Sequence, residues 1–404
     1  MVTLLRKLIG VTQIRVRGVC WAEDHLEIAV RPTWRHPRCA ICRQGAPGYD
    51  QQAPRRWRHV PWGPCPVDLV YAPQRVQCAR CGIAPEQVPW APPGPSRFTT
   101  AMEELAAWLA TITDRTSVTR ILGTSWRAVE GMIERVVARK LDSERLEGLR
   151  FLGIDEFSYR KRHHYVTVVV DHERGRIVWA SEGRSAQTLG RFFDALGPER
   201  IAALEAITMD MSGGYIKAVQ ERAPDAVVIF DRFHVQRLAS DAVDDVRRDL
   251  MRTLTDKMEK RGIKHTRYAL LKNPWNLTRK EREKLSALQQ HNRPLYRAYL
   301  LKESLADLLS SLQPAKAAQR LDEWLGWASR SRLKPFVKLA RTLRRHKGGI
   351  VSYLFLRLTN GLVEGINNRM RMIARRAFGF HSAQPLIGMM FLTCGGLQLH
   401  PTLP

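Results

Sequence analysis

The sequence predicts a multidomain α+β protein: a β-rich N-terminal module carrying paired cysteines, a helix-turn-helix, and a mixed-sheet domain with a large all-helical insertion. Three observations predict it. Two Cys-x-x-Cys pairs, Cys39/Cys42 and Cys78/Cys81, stand among short stretches of strand-like alternation. A short helical segment reaches Gly123 and restarts at Ser125. Three short apolar runs each lead into an aspartate, at Asp155, Asp210 and Asp231, with helical segments interleaved.

The totals bound the function. A chain of 404 residues allows two or three domains with at least one sizeable core. Lys plus Arg is 65 against 39 for Asp plus Glu, a net charge of +26. Such an excess is costly in self-repulsion unless a polyanion relieves it, and nucleic acid does so with release of condensed counterions. On charge alone a ribosome-associated protein or a merely basic enzyme stays open. Arg6 and Lys7 interrupt the first apolar run, so the N-terminus does not read as a signal peptide. The run from Leu386 to Leu399 is broken by glycines and is too short for a bilayer, which needs about 20 residues. A cytoplasmic protein without a membrane partner is expected.

Residues 1–95 form the first predicted domain. Ile14–Val19, Leu26–Val30 and Val67–Tyr71 alternate as strands do, and the Pro-rich stretch from Trp90 to Pro95 closes the region. Seven cysteines in an intracellular chain favour metal ligation over disulfides. Cys39, Cys42, Cys78 and Cys81 supply four thiolates in two pairs, the donor set of a structural Zn²⁺. His36 and His59 are possible substitutes for one ligand. Cys20, Cys65 and Cys394 lack partner spacing and are expected to be buried thiols. Arg55, Arg56 and Arg58 surround Trp57 and suit a ribbon on phosphates, with a solvated charge run as the alternative.

Residues 96–148 are the predicted helix-turn-helix. Leu105, Leu109 and Ile112 mark one helix face. Gly123 suits the left-handed turn after a short helix, and Ser125 sits where an N-cap belongs. Val129, Ile133 and Val136 would pack the second helix on the first. Ser125, Trp126 and Arg127 then stand at its N-terminus, where major-groove contacts are made, and Glu130 is expected to face outward with them.

Residues 149–404 form the third domain, with the helical insertion at about 236–355. Runs at 151–154, 206–209 and 227–230 read as buried strands, each closed by its aspartate. Tyr165–Val170 and Ile177–Ala180 make a hairpin turned at Glu173–Gly175, and Ser185–Leu196 a helix. Three strands, a helix, a strand, a helix and a strand is the order of a ribonuclease-H-like fold. Carboxylates at strand ends face the place where open α/β sheets bind ligands, and hard oxygens suit two Mg²⁺ (or Mn²⁺) ions. A third acid is expected from a C-terminal helix. Glu364 is the candidate, flanked by Asn360, Asn367 and Asn368 and followed by Arg371, Arg375 and Arg376, a carboxylate beside basic residues suited to a phosphate backbone.

Gly153-Ile154-Asp155-Glu156, Asp210-Met211, Asp231-Arg232-Phe233-His234 and the run Asn360 to Asn367 resemble the DDE transposases of bacterial insertion sequences, nearest the ISL-three family. The resemblance implies that Asp155, Asp210 and Glu364 are the catalytic, metal-holding acids. It implies that Asp231 and His234 form an accessory Asp-x-x-His pair, with Asp231 the alternative second ligand. It further implies binding of double-stranded DNA at the element's inverted-repeat ends, Mg²⁺-dependent cleavage, and transfer of the freed strand into target DNA. A homodimer or higher assembly on the nucleoid follows, because two ends are joined. Basic residues of the insertion, such as Arg341, Arg344, Arg345 and Lys347, would track flanking DNA. A non-catalytic DNA-binding regulator, and a ribonuclease-H-like nuclease or resolvase that cuts without joining, are the competing readings.

Overall fold

A computed structural model describes residues 2–160, 164–358, 360–377 and 379–399. They fall into two compact units, Met1–Arg145 with Tyr159–Arg162 and Arg369–Pro404, and Leu146–Ser158 with His163–Asn368.

The first unit opens with α1 (Val2–Ile9) and strands β1 (Ile14–Ala22), β2 (His25–Pro32), β3 (Gly48–Gln51), β4 (Arg55–Trp62), β5 (Cys65–Tyr71), β6 (Gln74–Cys78) and β7 (Gly82–Pro85). One sheet has the order β1-β2-β5-β4 and a smaller one β3-β6-β7. The charge run at Arg55 is a strand because Trp57 and His59 alternate inward while its arginines find acids on the same sheet: Arg56 on Glu27 of β2 and Arg58 on Asp68 of the adjacent β5. The Pro-rich stretch is also core. Trp90 is 1 % exposed and meets Trp57 and Tyr71 edge-on at 5.7 and 5.5 Å.

Three helices follow: α2 (Thr100–Ile112), α3 (Arg115–Leu122) and α4 (Trp126–Lys140). Asp114 caps α3 and Ser125 caps α4, each accepting from a backbone N–H of the first turn. Gly123 stands between them at φ 58°, ψ 46°, a left-handed turn that a side chain would strain. Val129, Ile133 and Val136 are buried as expected. Two expectations fail here. Ile112 is exposed, because the face of α2 that packs is set by Met102, Ala106 and Ala110. Glu130 is half-buried beside Arg115 rather than free on the outer surface. The deepest charge, Glu103, is fully buried and bound by Arg135 Nε at 2.6 Å, Arg139 Nη1 at 2.9 Å and the Ser96 hydroxyl at 2.8 Å. This ties α2 to α4, and a buried carboxylate survives only with such partners.

The second unit is built on β8 (Phe151–Arg160), β9 (His164–Asp171), β10 (Arg176–Glu182), β11 (Ala206–Met209) and β12 (Val227–Phe230), in the order β10-β9-β8-β11-β12. β9 and β10 form the antiparallel hairpin, while β11 runs parallel to both β8 and β12. The connections are α5 (Ala186–Leu196), α6 (Pro198–Ala202) and α7 (Gly213–Arg222), with Leu189, Phe192, Phe193, Ile207 and Val219 in the core between them. Then come eight helices with no strand among their described residues: α8 (Arg232–Thr253), α9 (Lys257–Lys264), α10 (Arg267–Leu271), α11 (Arg279–His291), α12 (Arg293–Ser310), α13 (Pro314–Arg330), α14 (Lys334–Arg345) and α15 (Lys347–Leu356). α14 buries Phe336, Leu339, Ala340 and Leu343 and exposes Lys338, Arg341, Arg344 and Arg345. α16 (Gly361–Arg376) belongs to the second unit up to Asn368 and to the first from Arg369, and α17 (Ala383–Cys394) lies in the first unit against α4 and α2. No described helix is long and apolar enough to cross a membrane.

Candidate active site and metal centre

Register puts the three aspartates in one row. Thr208 pairs with Gly153, and Met209 with Phe230. Continued one or two residues, Asp210 falls beside Asp155 on one side and Asp231 on the other, with neighbouring strands about 4.8 Å apart. Asp155 does not close its strand as expected: β8 runs on to Arg160, past the end of β11. Asp210 and Asp231 do follow directly on their strands, and Asp231 precedes the first turn of α8, which carries His234.

Each acid is partly tethered. Asp155 accepts from the Glu156 backbone N–H at 2.8 Å and from Asn367 Nδ2 at 2.8 Å. Burial pushes its carboxyl up to about 6, and the charges of Asp210 and Glu156 add to this, against the opposing pull of the Glu156 N–H and of His234. Asp210 accepts from the Ser212 N–H at 3.0 Å. Asp231, 2 % exposed, is also raised by burial, with Glu364 adding to the shift and His234 opposing it. Glu156 is shifted the same way, by burial first and then by Asp210, and pairs with Arg184 at 3.7 Å. The carboxyls of Asp155, Glu156 and Asp231 are raised chiefly because burial disfavours their charged form.

Glu364 lies in the first turn of α16, exposed, and its N–H donates to Asn360 O at 2.7 Å. Among the described residues no three of these acids share mutual ligand distance, although Glu364 is near enough to Asp231 for its charge to raise that carboxyl. Its helix is fixed to the sheet, with Asn360 2 % exposed and Asn367 4 %. The Thr208 hydroxyl donates to Asn360 Oδ1 and is met by His172 Nε2 at 2.7 Å. Sequence reasoning gave Glu156, His172 and Thr208 no role; for the two asparagines the only signal was amides flanking an acid at helical spacing. Gly153 allows the approach: a Cβ there would lie 2.5 Å from Val363 Cγ2 and 2.9 Å from His172 Nε2. Gly153→Val is therefore expected to displace the start of α16, seen as at least tenfold faster amide hydrogen exchange over residues 361–367 with circular dichroism little changed, because the collision falls between β8 and the helix bearing Glu364.

The cysteines form the second centre. The ligand atoms of Cys39, Cys42, Cys78 and Cys81 all lie within 4.8 Å of one another, an arrangement able to hold a metal ion. Backbone N–H groups of Arg80 and Cys81 lower the Cys78 thiol to about 7, toward the thiolate a metal requires. His59 is buried elsewhere, on the Thr99 hydroxyl at 3.0 Å, and burial lowers it to about 4; His36 is exposed. Cys394 is buried and Cys65 partly so, but Cys20 is exposed, because the outer face of β1 is uncovered.

The remaining candidates are spread over the first unit. Arg55 stacks on Trp57 at 4.9 Å, and Arg56 and Arg58 hold acids. Ser125, Trp126 and Arg127 are exposed at the start of α4. Arg371 and Arg375 are exposed on α16, whereas Arg376 is half-buried and donates to Thr111 O at 2.9 Å.

Comparison with known proteins bears on the whole chain. Residues 152–390 match a family described as transposase, and residues 86–137 match the helix-turn-helix domain of transposase family ISL3. The transposase for insertion sequence element IS1557 of Mycobacterium tuberculosis is 39% identical over 393 residues, 91% of this chain and 87% of that protein. The transposase for insertion sequence element IS1001 of Bordetella parapertussis is 30% identical over 390 residues, 94% of this chain and 95% of that protein.

Proposed function

The chain belongs to the ISL3 family of transposases, and from that premise we propose that it binds the inverted-repeat ends of an insertion sequence and catalyses Mg²⁺-dependent strand cleavage and strand transfer. The observation that carries the reading is the row of Asp155, Asp210 and Asp231 on adjacent parallel strands, with the helix of Glu364 fixed against that sheet end. The strand order β10-β9-β8-β11-β12, interrupted after β12 by helices, supports a ribonuclease-H-like catalytic domain with a helical insertion.

The donor set fits hard divalent ions. Three carboxyls gathered on adjacent strands, two of them raised by burial, offer the hard oxygen ligands that suit Mg²⁺ or Mn²⁺. Asp155, Asp210 and Glu364 would hold the ions; the adjacency of β8 and β11 favours Asp210 over Asp231. When bound, such ions lower the pKa of water and neutralise charge developing on the phosphate. Asn367 aims Asp155, His234 in the first turn of α8 contacts the phosphate or braces the site, and Asn360 holds the start of α16. The four cysteines hold structural Zn²⁺. The exposed start of α4 reads the end, and the basic face of α14 contacts flanking DNA. Two chains act together because two ends must be brought to one target.

Incubation of labelled element ends with a target plasmid and Mg²⁺ tests the reading: covalently joined product is expected. Nicked ends without joining would reassign the chain as a nuclease, and end binding without nicking as a regulator. The proton held by Asp155 gives a second expectation. A carboxyl whose folded pKa is raised weakens the metal-free fold as pH climbs from its ordinary value toward 6, and an ion must displace that proton below 6. Calorimetric Ca²⁺ affinity should therefore fall about tenfold per pH unit below 6 and level off above it; a flat profile between pH 5 and 7 would contradict this.

A further inference from the structure

A cleft of about 510 Å³ opens in the first unit beside the start of α4, with Trp126, Tyr159, Phe380, His381, Arg115 and Glu130 in its wall. Its volume falls among pockets that take single small molecules, not a duplex. Its chemistry is uneven. Trp126 is 44 % exposed and Phe380 is 6 % exposed, so aromatic surface forms both the rim and the floor. The Arg115 guanidinium lies over the Phe380 ring at 5.5 Å, and its side chain is only 11 % exposed. Its nearest acid, Glu130, stands 3.8 Å away, and Arg115 Nη2 is buried with no hydrogen-bond partner among the described residues. A cation held this deep with one N–H unanswered is costly, and an anion seated against the small part of the side chain that the cleft leaves exposed would offset that cost. The opposite wall is held in place, Arg160 Nη1 donating to His381 O at 3.1 Å.

We infer that this cleft receives one unstacked nucleotide of the DNA bound by the helix-turn-helix, its base against Trp126 and its phosphate on Arg115. The two features of the wall select that occupant. A flat π-face suits aromatic surface, and a phosphodiester supplies the missing anion. The location agrees, because Trp126 is the first residue of α4, where a recognition helix meets base edges. A stacked, paired base cannot enter a concave wall, so the nucleotide must leave the duplex, at a cost of a few kcal/mol that is smallest where pairing is already broken.

The inference rests on the reading that the chain binds its element's ends, and the test separates the two. Duplexes of the terminal repeat and its flank carry 5-iododeoxyuridine at one position at a time and are irradiated in complex with the full chain; crosslinked peptides are then identified by mass. One position is expected to join to Trp126. At that position a mismatch should tighten binding about tenfold, since unpairing is already done, whereas a groove contact would gain nothing from it. Trp126→Ala should lower the crosslink and the mismatch gain at least tenfold, and Trp126→Phe should keep the mismatch gain. Trp126 is exposed, so equal melting temperatures should certify that both variants fold. Binding of the duplex with no crosslink into the cleft, or a mismatch gain unchanged in Trp126→Ala, overturns this inference alone. Absence of any binding to the end duplex overturns it together with the DNA-end reading.

Discussion

Asp155→Ala is expected to lower Mg²⁺-dependent nicking of end DNA at least about a thousandfold, because several kcal/mol of charge stabilisation at the phosphate disappear with one ligand. The fold should not suffer. Asp155 is an acid raised to about 6 by burial, so its removal relieves the metal-free protein of a charge it holds poorly above that pH. Asp155→Asn serves as the sharper variant, since an amide oxygen can still accept from Asn367 while offering an ion little charge. End binding by gel shift should be unchanged in both, since Asp155 belongs to the second unit and the helix-turn-helix and the cysteine module to the first. Nicking within tenfold of wild type would remove Asp155 from the chemistry.

The second large effect is removal of the metal from the cysteine centre. Cys39 and Cys78 are buried with only Ala46, Val76 and Ala84 around them, a core too small to hold β3, β6 and β7 by apolar contact. Metal binding in such modules is itself folding free energy, about 10–16 kcal/mol in zinc-finger peptides at neutral pH. A strong chelator, or Cys39→Ser, is therefore expected to make residues 36–86 sensitive to protease and to weaken end binding at least tenfold. The second unit should keep its melting transition. Elemental analysis should find one zinc per chain, and a chelated protein that resists protease as before would contradict the assignment.

Much of this was legible because the sequence carried local signals. The strand before Asp210 is buried on both faces and the strand before Asp231 ends in buried Ile229 and Phe230, so both read as short apolar runs that stop at the carboxylate. Gly123 and Ser125 declare their turn by backbone chemistry alone. The rest depends on partners distant in sequence. The arginines of β4 read as a ribbon on phosphates because Glu27 and Asp68, which pair with Arg56 and Arg58, stand 29 and 10 residues away. Trp90 looked like part of a linker because the rings that bury it belong to β4 and β5. Asn360 and Asn367 read only as amides flanking an acid, because their burial comes from contact with β8 and β11, which Gly153 permits. The continuation of β8 beyond Asp155 carried no local signal for the same reason.

Diffraction at the manganese edge from crystals of the chain with its end DNA and Mn²⁺ tests most directly whether the acids form one site. The predicted result is a pair of anomalous peaks about 4 Å apart, within about 2.2 Å of carboxylate oxygens of Asp155, Asp210 and Glu364. Ions bound elsewhere, or Glu364 left in solvent while cleaved DNA occupies the sheet end, would contradict it.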